Sequence, residues 1–109
     1  MSYGEIHAIS RRISIGFKDL VYPEAIDRHR NLTYAAQELF ITQPALTKFL
    51  KSFESSLGVE LFRRTGNHMV PTDAGNQYLI FAREVLAALL ECRIDAAFSA
   101  ILYRAETLW

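Results

Sequence analysis

Two short helical segments separated by a tight break constrain this chain more than any other feature. They lie between Asn31 and Gly66, in NLTYAAQELFITQPALTKFLKSFESSLGVELFRRTG. Ala35, Ala36 and Leu39 form the inward stripe of the first segment, and the small alanines let a second helix cross closely. The break falls at Phe40-Ile41. Thr42 then offers a capping side chain, and Pro44 stands in the first turn, where its missing amide hydrogen is harmless. Leu46, Phe49, Leu50, Phe53 and Leu57 follow at helical spacing and make one apolar face. Gly58 ends this helix, and Val59 is placed for the apolar contact that accompanies a glycine cap.

The flanking segments complete the architecture. Residues 18–30 are helix-patterned, but Pro23 removes a backbone donor, so the spacing predicts a helix from near Tyr22 to about Arg30, with Ala25 and Ile26 inward. Thr33 is the expected N-cap of the next helix. Leu61–Arg64 and Met69–Pro71 read as short strands joined by Thr65-Gly66-Asn67-His68. Thr72 caps a long final helix, Asp73 complements its dipole, and no strong breaker appears before about Ala100. Tyr78, Ala82, Val85, Leu89, Cys92 and Ala96 repeat at spacings of four and three, a seam able to pair two copies. The expected fold is mainly α with a small two-stranded β wing: a winged helix-turn-helix followed by a long C-terminal dimerisation helix. The divisions are an N-terminal extension (1–17), the winged domain (18–72), and the dimerisation helix with its tail (73–109). Ile6, Ile9, Ile13 and Phe17 allow a short amphipathic helix in the extension, and a frayed tail fits equally. Phe98, Ile101, Leu102 and Trp109 can extend the dimer core or form an apolar patch, and Tyr103 has no assigned role.

A chain of 109 residues is one domain's worth, with half its residues apolar, so a core shared with a partner is a natural solution. Twelve Lys and Arg balance twelve Asp and Glu, which alone argues against a polyanionic partner. Distribution matters more: Arg28, Arg30, Lys48, Lys51, Arg63 and Arg64 outnumber the acids in their stretch. Cys92 is the lone cysteine, and it reads as a small hydrophobe in the seam rather than a redox switch. The N-terminus carries no signal-peptide pattern and no apolar run approaches the roughly 18–20 residues of a membrane span, so a cytoplasmic location is expected. His7, His29 and His68 sit at no metal-ligand spacing. No nucleophile–base grouping, phosphate-cradling glycine loop or paired carboxylates stand out. Neither an enzyme, nor a cofactor, nor a small-molecule effector site is expected.

The polar side of the helix after Thr42 carries the function. Gln43, Thr47 and Lys51 recur at i, i+4 and i+8, flanked by Pro44 and Lys48. Glutamine pairs with adenine, lysine donates to guanine, and threonine and proline offer apolar contact to the thymine methyl. The preceding helix would cross the backbone, with Thr33 and Tyr34 near phosphates. An isolated stripe of this kind is more often a solvated face. The basic hairpin, with Arg63, Arg64 and His68 beside a glycine turn, shifts the balance toward double-stranded DNA. Glu54 has two readings: a weak pair with Lys51, or an ion pair with Arg63 or Arg64 that orients the wing.

These residues resemble a known family. Leu32, Ala35, Ala36 and Leu39, then ITQPALTKFLKSFESSLGVELFRRTG, then PTDAG, within a stretch from Phe17 to Val85, are similar to the N-terminal DNA-binding domain of LysR-type transcriptional regulators. The resemblance implies a recognition helix from Thr42 with Thr42, Gln43, Pro44, Thr47, Lys48 and Lys51 toward DNA, Arg64 in the wing, Thr33 near phosphates, and a linker helix paired with its mate. Three features depart from the family. Pro23 stands where an aromatic or aliphatic residue is usual, Tyr34 where a basic residue is frequent, and the tail DAAFSAILYRAETLW does not resemble the start of the effector-sensing domain. A truncated piece, a natural short member and a remnant are all compatible with this. The implied function is a sequence-specific DNA-binding transcriptional regulator without that sensing domain. It would bind a roughly palindromic operator as a homodimer or higher homo-oligomer. The alternative is a short interaction protein that associates with longer regulators and modulates them without binding DNA.

Overall fold

The computed structural model describes the backbone of residues 15–107 and the side chains of residues 15–93. The described residues form α1 (Phe17–His29), α2 (Leu32–Glu38), α3 (Gln43–Leu57), β1 (Phe62–Thr65), β2 (His68–Pro71) and α4 (Asp73–Thr107). This is the expected class, mainly helical with a two-stranded antiparallel wing. The readings placed on His7, Ile6, Ile9, Ile13 and Trp109, and on the side chains of Ala96, Phe98, Ile101, Leu102 and Tyr103, lie outside the described residues.

α1 begins at Phe17 rather than near Tyr22, and Pro23 sits inside it, buried. The Asp19 carboxylate accepts from the Gly16 amide at 2.7 Å and fastens the first turn. A helical proline leaves the carbonyl four residues earlier without its donor. That carbonyl belongs to Asp19, and the Tyr78 hydroxyl from α4 donates to it. The breaker is tolerated because another helix supplies the missing hydrogen. Tyr78→Phe should therefore cost about 1 kcal/mol in urea denaturation. In a Pro23→Ala background the restored backbone donor takes the Asp19 carbonyl, and most of that cost should disappear. Strictly additive costs would show the two sites to be unconnected. Burial, with the Asp19 charge adding, pushes the Tyr78 phenol from 10.0 up to about 12. The unfolded phenol ionises first, so stability should fall as pH rises from 10 to about 12, and Tyr78→Phe should remove that slope.

α2 is capped by Asn31, not by Thr33. The Asn31 side chain accepts from the Tyr34 amide at 3.1 Å, which leaves Thr33 inside the first turn. The turn into α3 is closed by Phe40 N–H to the Gln37 carbonyl (3.2 Å) and Ile41 N–H to the Ala36 carbonyl (3.1 Å). Phe40 adopts a left-handed φ of 57° and is 95 % exposed. Thr42 caps α3 as expected, accepting from Ala45 N–H at 3.2 Å, and Gly58 ends it at φ 77°. Ala35, Ala36, Leu46, Leu50 and Phe53 are buried with Ala25 and Ile26 of α1, so three helices share one core.

The wing is tighter than the sequence suggests. Both strands reach the turn, pairing Thr65 with His68 and Arg64 with Met69, so only Gly66 and Asn67 bridge them. Met69 N–H donates to the Arg30 carbonyl at 2.9 Å, and the Asn31 side-chain amide donates to the Asn67 carbonyl at 3.4 Å. Glu54 makes neither expected ion pair. Its carboxylate accepts from the Leu61 and Phe62 amides at 2.6 and 3.2 Å, at the entry to β1, where unpaired buried donors would be costly. The start of α4 closes over the same place: Thr72 N–H donates to the Leu61 carbonyl at 3.0 Å, and the Thr72 hydroxyl donates to the Glu60 carbonyl at 2.6 Å.

The first turns of α4 dock on α1, with Leu79 and Ala82 buried and Arg83 paired to Asp27 at 2.6 Å. This corrects the lower end of the predicted seam. Tyr78 and Ala82 are spent on the chain's own core, because the helix must cover α1 before it can project. Val85 is half-buried, while Leu89 and Cys92 are exposed. No helix among the described residues is long and apolar enough to cross a membrane.

Candidate nucleic-acid interface

The amphipathicity of α3 decides which side chains reach solvent. With Leu46 fully buried and Leu50 and Phe53 nearly so, the opposite side carries exposed Pro44, Lys48 and Lys51 and half-buried Gln43 and Thr47. Gln43, Pro44, Thr47, Lys48, Lys51 and Ser52 line one shallow groove along the helix. A second recess, of about 460 Å³, lies between α2, the N-terminus of α3 and the wing. Asn31, Thr33, Tyr34, Gln37, Gln43, Arg64 and Asn67 line it, so Gln43 borders both. Thus Thr33, Tyr34, Gln43 and Arg64, scattered in sequence, converge on one recess. His68 is exposed at the wing but lines neither recess, and the Thr42 hydroxyl is committed to capping.

Sequence reasoning missed Asn31, Gln37, Ser52 and Asn67. Two of them were within reach of helical spacing: Gln37 follows Thr33 by four residues, and Ser52 follows Lys48 by four. Asn31 and Asn67 meet only through the fold.

The charges divide into two groups. Arg28 grips Glu24 and Glu38, Arg30 pairs with Asp27, and Arg83 pairs with Asp27. The Arg28 guanidinium holds the Glu38 carboxyl below its ordinary range, chiefly through their hydrogen bonds. These arginines therefore tie α1 to α2 and α4, although in sequence Arg28 and Arg30 counted toward the basic stretch. Lys48, Lys51, Arg63 and Arg64 are exposed and enter no ion pair among the described residues. Uncompensated cations flank a helix whose polar side is open, which suits a polyanion.

A short helix, a tight turn, a solvent-facing second helix and a basic two-stranded wing define a winged helix-turn-helix domain, here with a long helix trailing from it. The chain belongs to the family described as bacterial regulatory helix-turn-helix protein, lysR family, which it matches over residues 17–76. It is 40 % identical over 68 residues to the glycine cleavage system transcriptional activator of Escherichia coli (strain K12), covering 62 % of this chain and 22 % of that protein. It is 45 % identical over 67 residues to the HTH-type transcriptional regulator GbpR of Azospirillum brasilense, covering 62 % and 20 %. The chain thus spans about a fifth of the length of these relatives, which are regulators rather than enzymes. Among solved structures it is similar to the CbnR DNA-binding domain in complex with DNA, with a TM-score of 0.71 and 29 % identity over 79 % of this chain and 99 % of that one. It is also similar to the BenM DNA-binding domain on the benA site 1 DNA, with a TM-score of 0.68 and 26 % identity over 72 % and 91 %.

Proposed function

We propose that this chain is a transcriptional regulator that binds double-stranded DNA sequence-selectively, with α3 in the major groove and the wing against the backbone. The observation that carries this is the exposed side of α3: Lys48 and Lys51 lack acidic partners among the described residues, beside Gln43 and Thr47, while the opposite side is locked into the core. Pro44 and Thr47 offer apolar contact to thymine methyls, Thr33 and Tyr34 stand where a backbone would pass, and Arg64 reaches from the wing. His68 and Thr42 are peripheral contacts at most, one lining neither recess and the other occupied by its cap. That the similar CbnR and BenM domains form complexes with DNA supports the DNA-binding part of this reading. Such a protein acts in the cytoplasm.

The functional unit in this reading is a homodimer paired through α4. Phe81, Val85, Ala88 and Cys92 share one edge of the helix at heptad spacing, starting within the docked turns and running past them, with Leu89 beside them, and Phe81 and Leu89 are 43 % and 49 % exposed. Twofold symmetry then gives a roughly palindromic site. Association with longer regulators through the same edge, without DNA contact, is the second reading, and the exposed apolar edge of α4 favours it equally.

Gel-shift titration on a duplex selected from a random pool separates these readings. Gln43→Ala should weaken the preferred site by about 1–3 kcal/mol and relax the preference at one base pair, whereas Arg64→Ala should weaken all duplexes alike. Unchanged affinity in Gln43→Ala would mean that the recognition side is misassigned. Retention of partner proteins but of no duplex would favour the second reading.

A further inference from the structure

Thr47 is engaged twice within its own helix. Its hydroxyl accepts from Gln43 Nε2 at 3.0 Å and donates to the Gln43 carbonyl at 3.1 Å. A hydroxyl carries one hydrogen, and here it is committed to that carbonyl. Only the NH₂ end of the Gln43 amide, never its oxygen, can then face Thr47. With the amide hydrogen anti to Oε1 used inward, Oε1 and the syn N–H are left side by side for a partner. Both residues are half-buried, and Gln43 borders both recesses, so the amide is held at the point where a base edge would arrive.

An acceptor beside a donor in one plane matches the major-groove edge of adenine, which offers the N6 amino group and the N7 acceptor. Guanine presents two acceptors there and would set an oxygen against Oε1. With its hydroxyl occupied, Thr47 has its methyl group left to offer, which suits the methyl of thymine. We propose that Thr47 is a positioning residue that locks the Gln43 amide in its adenine-reading orientation, so that the pair selects A·T at one position of the site. This rests on the DNA-binding function proposed above and adds the identity of the base pair.

The test uses the full chain and duplexes selected from a random pool, varied through all four base pairs at the position where Gln43→Ala erases preference. The wild type should prefer A·T there over G·C by roughly tenfold or more. Thr47→Val keeps the side chain's shape and methyl but removes both hydrogen bonds, and should cut that preference to about threefold or less. Thr47→Ser should retain the preference. In the free protein, the hydrogen-bonded Gln43 side-chain proton should exchange slowly by NMR in the wild type and the serine variant and fast in the valine variant. If the valine variant unfolds, Thr47→Ala set against Thr47→Ser, which lacks the same methyl, gives the comparison. A G·C preference at that position, or full A·T preference in both Thr47→Val and Thr47→Ala, overturns the proposal while leaving DNA binding intact. Loss of the preference in Thr47→Ser overturns it too. Absence of any sequence preference in the wild type overturns both it and the DNA-binding function.

Discussion

Gly75→Ala should unfold this domain more readily than a methyl added at any other glycine among the described residues. A Cβ at Gly75 would lie 1.9 Å from the Leu61 carbonyl oxygen, 2.8 Å from its carbon and 3.2 Å from its Cα. Two effects compete. Alanine is the better helix former by about 0.8–1 kcal/mol. Against this, all three obstructing atoms are backbone, so α4 must withdraw by about 1.5 Å to restore ordinary contact at 3.4 Å. Withdrawal would break the Thr72 amide bond to the Leu61 carbonyl and the Thr72 hydroxyl bond to Glu60. Overpacking costs typically ~1–3 kcal/mol, and with no side chain able to yield the upper end applies, leaving about 2 kcal/mol net of the helix-propensity gain. For a domain of this size that is a fall of roughly 8–16 °C in Tm. Asn76→Ala, on the next and exposed residue, is the control and should change stability by less than ~0.5 kcal/mol. Equal Tm values for the two variants would mean that helix and strand entry are not in contact.

What was legible in the sequence followed from periodicity and capping chemistry. The inward stripe of α3, the Thr42 and Gly58 caps and the glycine turn are local facts, each decided within a few residues. The errors came where a distant partner decides. Pro23 reads as a helix boundary until Tyr78, far along the chain, supplies the donor that the proline removes. The same contact draws Tyr78 out of a seam that its spacing alone supports. Thr33 is a good capping residue in isolation, but Asn31 caps the helix and also reaches the wing turn. Half-buried Gln43 and exposed Lys48 and Lys51 were legible because an amphipathic helix has only one other side. The recess that gathers Tyr34 and Arg64 was not, since it exists only once the wing folds back beside α2.

Glu54 gives the second large effect, and it distinguishes a backbone clamp from a surface ion pair. An exposed pair with Lys51, Arg63 or Arg64 would contribute at most ~1 kcal/mol. A carboxylate accepting from two amides at 2.6 and 3.2 Å, beside Leu61 and Phe62 that are 1 % and 5 % exposed, does more. Truncation to alanine leaves both donors short of a partner, at ~1–3 kcal/mol each, so Glu54→Ala should cost about 2–6 kcal/mol in chemical denaturation. Glu54→Gln retains an acceptor without the charge and should cost about half as much. Hydrogen exchange should locate the damage: the Leu61 and Phe62 amides lose protection first, while Val70 on β2 keeps its own until global unfolding. A double-mutant cycle between Glu54→Ala and Arg64→Ala should give no coupling, because the two side chains form no ion pair. Coupling near the full cost of Glu54→Ala would restore the ion-pair reading. In the expected case α3 and the wing are held in register by a residue that lines neither recess. DNA affinity should then fall in Glu54→Ala even under conditions where the variant remains folded.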